Sequence, residues 1–284
     1  MKTYTKTIIA FVFMLINAML YAQDFQGVAT YKTSMKMDFK MDSVAQGQGI
    51  DKEMQEKLNA MLQKQFQKEY TLTFTPYESV YKEEEKLEAP SPQSGGMTVM
   101  VMGGSQSATL YKNSKDKRYT HEQEILGKKF LVKDELENKE WKLENETKFI
   151  GQYTCYKATR TIEVEKMSSM SFNSDESKEP EVTKEKVTVT AWYTPEVPVN
   201  AGPDMYWGLP GLILEVNDGT QTIVCSKIVL NPKNKVKIKE PTKGKEVNSK
   251  KFEEIMKKKS KEMMERYRGN GRDHGDGIRI EIGG

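Results

Sequence analysis

Apolar positions recur with two different periods along this chain. The stretch "FQGVATYKT" (25–33) alternates apolar and polar residues, as a half-buried strand does. The period then lengthens. In "DKEMQEKLNAMLQKQFQKEY" (51–70), Met54, Leu58, Met61, Leu62 and Phe66 fall on one face of a 3.6-residue repeat, and Asp51 is a candidate N-cap. This predicts a helix after the first strand. From Tyr70 the period returns to two. "YTLTFT", "ESVYKEEE", "ATLYKN", "KRYTHEQEI", "KKFLVKDEL", "EWKLENETKFI" and "QYTCYKATRTIEV" follow at even spacing, the rhythm of an antiparallel meander. "MTVMVM" (97–102) pairs with "ATLYKN" as a candidate hairpin, and "APSPQSGG" breaks the run before it. A serine-rich polar stretch (166–181) reads as a hairpin tip, and "KVTVTAWYT" resumes the strand pattern. The last long period-3.6 segment, "VNSKKFEEIMKKKSKEMMERYRG", carries Phe252, Ile255, Met256, Met263 and Tyr267 on one stripe. The tail "GIRIEIGG" reads as a short edge strand or as unstructured chain.

The pattern predicts a mainly antiparallel β (α+β) fold: a curved meander sheet, one helix after the first strand, and an amphipathic helix near the C-terminus. A helix across the concave face, as in lipoprotein carriers, is the architecture expected by analogy. The organisation expected is a signal peptide over 1–22, a β-rich domain over 23–246, and a basic helix and tail over 247–284. The signal peptide rests on Lys2 and Lys6, the apolar run Ile8–Ile16, and small residues at Ala18 and Ala22. With no Cys at the expected cut, a lipid anchor is not expected. No later segment is apolar enough to be a membrane helix. The chain is thus expected to be soluble in the periplasm or outer envelope.

The charge is nearly balanced, +3 over 284 residues, but its distribution is uneven. Lys227 to Arg268 holds 15 basic and 6 acidic residues, net +9. Export argues against nucleic acid, and with no aromatic residue among the lysines except Phe252 and Tyr267, a solvated face is the plainer reading.

Chemistry-bearing residues are sparse. The only histidines are His121 and His274, and no nucleophile stands with a paired base, so a hydrolase is a low-ranking alternative. Cys-x-x-Cys and His-x-x-x-His are absent, and neither a metal site nor a cofactor is expected. Methionines cluster at Met35, Met37 and Met41, and again at Met97, Met100 and Met102. Thioethers suit Cu(I), but they also fill cores, and packing is the favoured reading. Cys155 and Cys225 form a candidate disulfide whose loop of about 70 residues would contribute roughly 4 kcal/mol. Two separate buried thiols is the alternative. Asp42-Ser43-Val44 makes Ser43 a candidate O-glycosylation acceptor.

The most distinctive stretch is "WYTPEVPVNAGPDMYWGLPGLILEV" (192–216). Its prolines stop a central strand, and Gly202-Pro203 and Pro210-Gly211 are turn dipeptides. The aromatic corner supplies candidate contact residues: Trp192, Tyr193, Gly202, Pro203, Tyr206, Trp207, Gly208, Leu209, Pro210 and Gly211. Leu212, Ile213, Leu214 and Val216 read as a buried strand. The stretch resembles the GLPGLI family of exported Bacteroidetes proteins, whose hexapeptide is matched literally at Gly208–Ile213. Trp141, Gly151, Tyr153, Cys155, Lys157 and Ala158 extend the resemblance upstream. The family has no established activity. Its genes often neighbour those of TonB-dependent receptors, which implies an envelope role. The leading expectation is a non-enzymatic envelope protein that binds an unknown small ligand or a partner, such as a TonB-dependent receptor. The alternative is a carrier or chaperone for an apolar ligand.

Overall fold

The computed structural model describes residues 25–35, 67–84, 108–137, 140–167 and 182–270. In chain order the strands are β1 (Gly27–Met35), β2 (Glu69–Phe74), β3 (Glu78–Glu83), β4 (Thr109–Asn113), β5 (Arg118–Ile125) and β6 (Lys128–Glu135). They continue as β7 (Lys142–Ile150), β8 (Tyr153–Met167), β9 (Val182–Thr194), β10 (Leu212–Asn217), β11 (Gln221–Leu230) and β12 (Lys245–Val247). One helix, α1 (Ser249–Asn270), follows.

All twelve strands form one sheet in the order β12-β6-β5-β4-β3-β2-β1-β11-β10-β9-β8-β7. Every pairing is antiparallel except β12 with β6. A single meander would set β7 beside β6. Instead there are two meanders, β1–β6 and β7–β11, joined where β11 returns to β1. The β6–β7 connection therefore bridges strands ten positions apart in the sheet. Laid flat, ten ladder spacings would measure about 48 Å. The seven links from Glu135 to Lys142 reach no further than about 25 Å. The sheet has to curl, and its inner face becomes concave.

Parity along the strands decides what lines that face. Ala29 and Tyr31 of β1 pair with Leu72 and Tyr70 of β2, and Leu72 pairs with Tyr81 of β3. The register carries on through Leu110 and His121 to Val132. Most of these side chains are buried. Aromatic rings fill much of the layer, with Tyr70 stacked on Tyr81 at 4.7 Å and Tyr31 edge-on to Tyr81 at 6.2 Å.

The predicted helix over 51–70 lies outside the described residues apart from its end, where Glu69 and Tyr70 belong to β2. The predicted C-terminal helix is α1. Asn248 caps it, its side-chain oxygen accepting from Lys251 N at 2.9 Å. Asp134 of β6 accepts from Ser249 N at 3.0 Å, and Phe252 meets Phe130 at 5.7 Å. The helix therefore sits at the β6 edge of the sheet. Residues 197–209 occupy the concavity.

Candidate functional site

Residues 195–211 leave β9, cross the concave face and return into β10. Their backbone turns on itself several times. Val199 N donates to Val197 O at 2.8 Å, Tyr206 N to Pro203 O at 3.0 Å, and Gly211 N to Leu209 O at 2.8 Å. Two glycines permit this path. A Cβ on Gly211 would stand 2.2 Å from the carbonyl oxygen of Thr194, and φ there is +157°. A Cβ on Gly202 would stand 2.7 Å from the carbonyl oxygen of Tyr206. The corner then locks into β10 at a bulge, where the ladder register slips between Ile213 and Glu215. Both polar groups of Ile213 find partners off the ladder. Its N–H donates to Ala201 O at 3.0 Å, and its carbonyl accepts from the buried Tyr31 hydroxyl at 2.7 Å.

Lys112 of β4 holds the corner from the facing wall. It shares the inner face with Leu110 and is only 3% exposed. Its Nζ donates to the carbonyls of Gly202 at 2.8 Å, of Tyr206 at 3.3 Å, and of Asp204. Three acceptors match the three N–H bonds of an ammonium. Burial nevertheless pulls its pKa down to about 7, against an upward pull from the Asp204 carboxylate. A cleft of about 10 Å³ adjoins Lys112, Asn200 and Trp207, room for about one water.

Trp207 fixes the other side. Its Nε1 donates to Glu137 O at 3.2 Å, and Trp141 Nε1 donates to Trp207 O at 2.9 Å. Glu137 and Trp141 flank the link between β6 and β7, so the corner ties together the two ends of the sheet. Beside it the Arg160 guanidinium lies between the rings of Trp141 and Tyr206, with centroids at 4.5 and 5.0 Å. Burial lowers its pKa, and its Nε and Nη1 are buried with no hydrogen-bond partner among the described residues.

A titratable cluster surrounds the corner's tip. Asp204 stands at φ +46°, and its charge acts on Lys112, His121, Tyr70, Tyr81 and Tyr206. Burial holds His121 toward its neutral form, and Gln123 lies 2.9 Å from its Nδ1. Burial also raises Tyr70, Tyr81 and Tyr206, which stay protonated hydroxyls. The Tyr81 hydroxyl has no partner among the described residues. Neutral imidazole, phenols and one carboxylate could pass a proton, but Lys112, the strongest nucleophile among them, is held by main-chain carbonyls. Sequence reasoning missed Lys112 and the inward His121. The signal was parity: Leu110 with Lys112 on β4, and Tyr119 with His121 on β5.

Most of the candidate contact residues lie inside. Tyr193, Gly202, Pro203, Tyr206, Trp207, Leu209 and Gly211 are buried, as are Leu212, Ile213, Leu214 and Val216. Pro210 is exposed and Gly208 half-buried. Trp192 sits half-buried on the outer face, where Lys148 lies 4.4 Å from its ring centre and 2.7 Å from Glu215. The disulfide expectation is corrected: Cys155 and Cys225 are free and buried. Strands β8 and β11 stand three positions apart in the sheet, a separation of roughly 14 Å along the ladder against the 7 Å that a disulfide tolerates between Cα atoms. Burial raises the two thiols to about 11 and about 12. Ser43, the region expected as a signal peptide and the methionine clusters, except Met35, lie outside the described residues. Among the described residues no cluster of three or more His, Cys, Asp or Glu could hold a metal ion, and no helix is long and apolar enough to cross a membrane.

Comparison with known proteins bears mainly on this part of the chain. Solved structures of PNGF-II in C2 and P21 space groups align with TM-scores of 0.45 and 0.46 at 14% identity, over 83% and 82% of this chain. The chain spans 33% of PNGF-II's length, a loose likeness that fixes neither fold nor activity. No curated protein matches in sequence. Residues 141–215, from Trp141 through the corner into β10, match the family model described as "Protein of unknown function (Porph_ging)".

Proposed function

We propose that the chain is a non-enzymatic binding protein of the cell envelope, in which the 195–211 corner braces a curved sheet. One observation carries this reading. Lys112, with a pKa near 7, is the kind of amine that could serve as a base or nucleophile. Its hydrogen bonds instead hold three carbonyls of the corner, beside space for about one water. The carrier reading has less support, because the chain's own residues fill the concavity. The GLPGLI hexapeptide falls inside the matched 141–215 segment, and we take the two descriptions to denote one family. Export rests on the signal-peptide pattern over residues 1–22, and partnership with a TonB-dependent receptor rests on that resemblance.

Contact then narrows to the rim of the corner: Trp192, Gly208 and Pro210. Co-sedimentation of the purified chain with outer-membrane fractions tests this. Pro210→Ala, at an exposed position, weakens the association and leaves the chain folded, whereas Trp192→Ala weakens it and also lowers the melting temperature, because the ring packs against the core and under Lys148. Turnover of an ester, amide or glycoside that His121→Gln abolishes would overturn the non-enzymatic reading.

A further inference from the structure

The segment between β11 and β12 is a strap with its own charge pattern. It reads "NPKNKVKIKEP" over 231–241. It is anchored at both ends of its course. Asn231 N donates to Gln26 O at 2.8 Å, and Val236 N to the Gln26 side chain at 2.9 Å. At the far end Glu240 takes a two-bond contact from Arg118, at 2.8 and 3.0 Å, and a bond from Thr120 at 2.6 Å. The strap therefore runs from the start of β1 to the start of β5.

Between these anchors the side chains alternate. Val236 and Ile238 are half-buried, while Lys233, Lys235, Lys237 and Lys239 are exposed. The chain bends at Lys233 and Asn234 and runs straight from Lys235. Every second residue of an extended chain repeats at about 6.5 Å, so Lys235, Lys237 and Lys239 form a row of roughly 13 Å, with Lys233 at the bend that opens it. No acidic residue interrupts it, and the first one after it, Glu240, is taken up by Arg118. The turns at the same end of the sheet add to the row. Lys115 and Lys117 are exposed on the β4–β5 turn, and Tyr77 on the β2–β3 turn is 60% exposed. Lys115 Nζ lies 6.0 Å from the Tyr77 ring centre. The Tyr77 carbonyl accepts from Ser114 N at 2.8 Å and from its hydroxyl at 3.1 Å, which fixes the two turns together.

We propose that this end of the sheet binds a linear acidic polysaccharide, its carboxylates or sulfates along the lysine row and a sugar face on Tyr77. A one-dimensional row suits a polymer better than a plane of headgroups. The strap's apolar residues face the sheet, so none is left to enter a bilayer. An exposed aromatic ring beside cations suits a sugar ring, with its apolar face and charged substituents.

The test uses the full chain with polygalacturonate and heparin as probes, and dextran, polyphosphate and phosphatidylglycerol vesicles as comparisons. The chain binds both acidic polysaccharides, binding falls steeply with salt, and dextran does not bind. Removing the row with K233Q/K235Q/K237Q/K239Q lowers affinity by about tenfold or more, while K257Q/K258Q/K261Q on α1 changes it by less than about twofold. Tyr77→Ala weakens polysaccharide binding and leaves polyphosphate binding unchanged. Equal losses from the strap and α1 variants would overturn the proposal, as would an unaffected strap variant. Loss of polyphosphate binding in Tyr77→Ala would remove the sugar contact. Tighter binding to vesicles than to either polysaccharide, abolished by the strap variant, would assign the row to membranes.

Discussion

Lys112 Nζ lies 2.8 Å from the carbonyl oxygen of Gly202, a residue 90 positions away in the corner that crosses the concave face. Lys112→Met keeps much of the side-chain volume and deprives three carbonyls of their shared donor. A buried acceptor left alone costs about 1–3 kcal/mol, so a loss of roughly 3 kcal/mol is expected. Urea unfolding reads it as a lower midpoint with an unchanged m-value.

The same lysine gives a pH signature. Its pKa is about 7 in the fold against an ordinary lysine value of 10.5. Between these values the unfolded chain keeps a proton that the folded chain has released, so stability rises with pH across that window. Below about 7 both states are protonated, and Lys112 adds no further slope. From about 9 the trend reverses, because burial holds Cys155 and Cys225 protonated in the fold while they ionise when unfolded, and above 10 Tyr31, Tyr70 and Tyr81 add to the fall in the same way. Unfolding free energies at several pH values check this, and Lys112→Met flattens the rise between 7 and 9.

Gly211→Ala forces a Cβ to 2.2 Å from a carbonyl oxygen that belongs to the β9 backbone. No rotamer relieves that contact. The expected loss is about 2–4 kcal/mol, combining overpacking with a strained φ. Gly202→Ala is milder, because part of its clash is with the Ile213 side chain. Thermal melts of the two variants should preserve that order.

Both cysteines should behave as sealed thiols. A thiol reagent added to the native chain reacts slowly, since both are buried and burial raises both pKa values. In denaturant, without reductant, two thiols per chain react. A count of zero there would restore the disulfide.

The strand pattern was largely open to reading, because alternation survives wherever one face is buried. "YTLTFT", "ATLYKN" and "KKFLVKDEL" correspond to β2, β4 and β6. The join between the meanders was hidden. Nothing in "LENKEW" says that its ends belong to opposite sides of the sheet, since that depends on β11 pairing with β1. The three-residue β12 gives too short an alternation to detect. The aromatic corner carried the opposite difficulty. Tyr206 and Trp207 suit a recognition surface as well as a core, and only the facing wall decides. That wall includes Lys112, a residue type that composition alone assigns to solvent.

The central claim is that the corner is a buried brace with hydrogen bonds as durable as the core. Amide hydrogen exchange in the native state tests it most directly. The amides of Leu212 and Ile213, which donate to Val197 and Ala201 at 3.0 Å each, should exchange only through global unfolding, with protection equal to that of central β1 amides. Exchange of these two amides at the rate of an exposed loop, with β1 still protected, would contradict it.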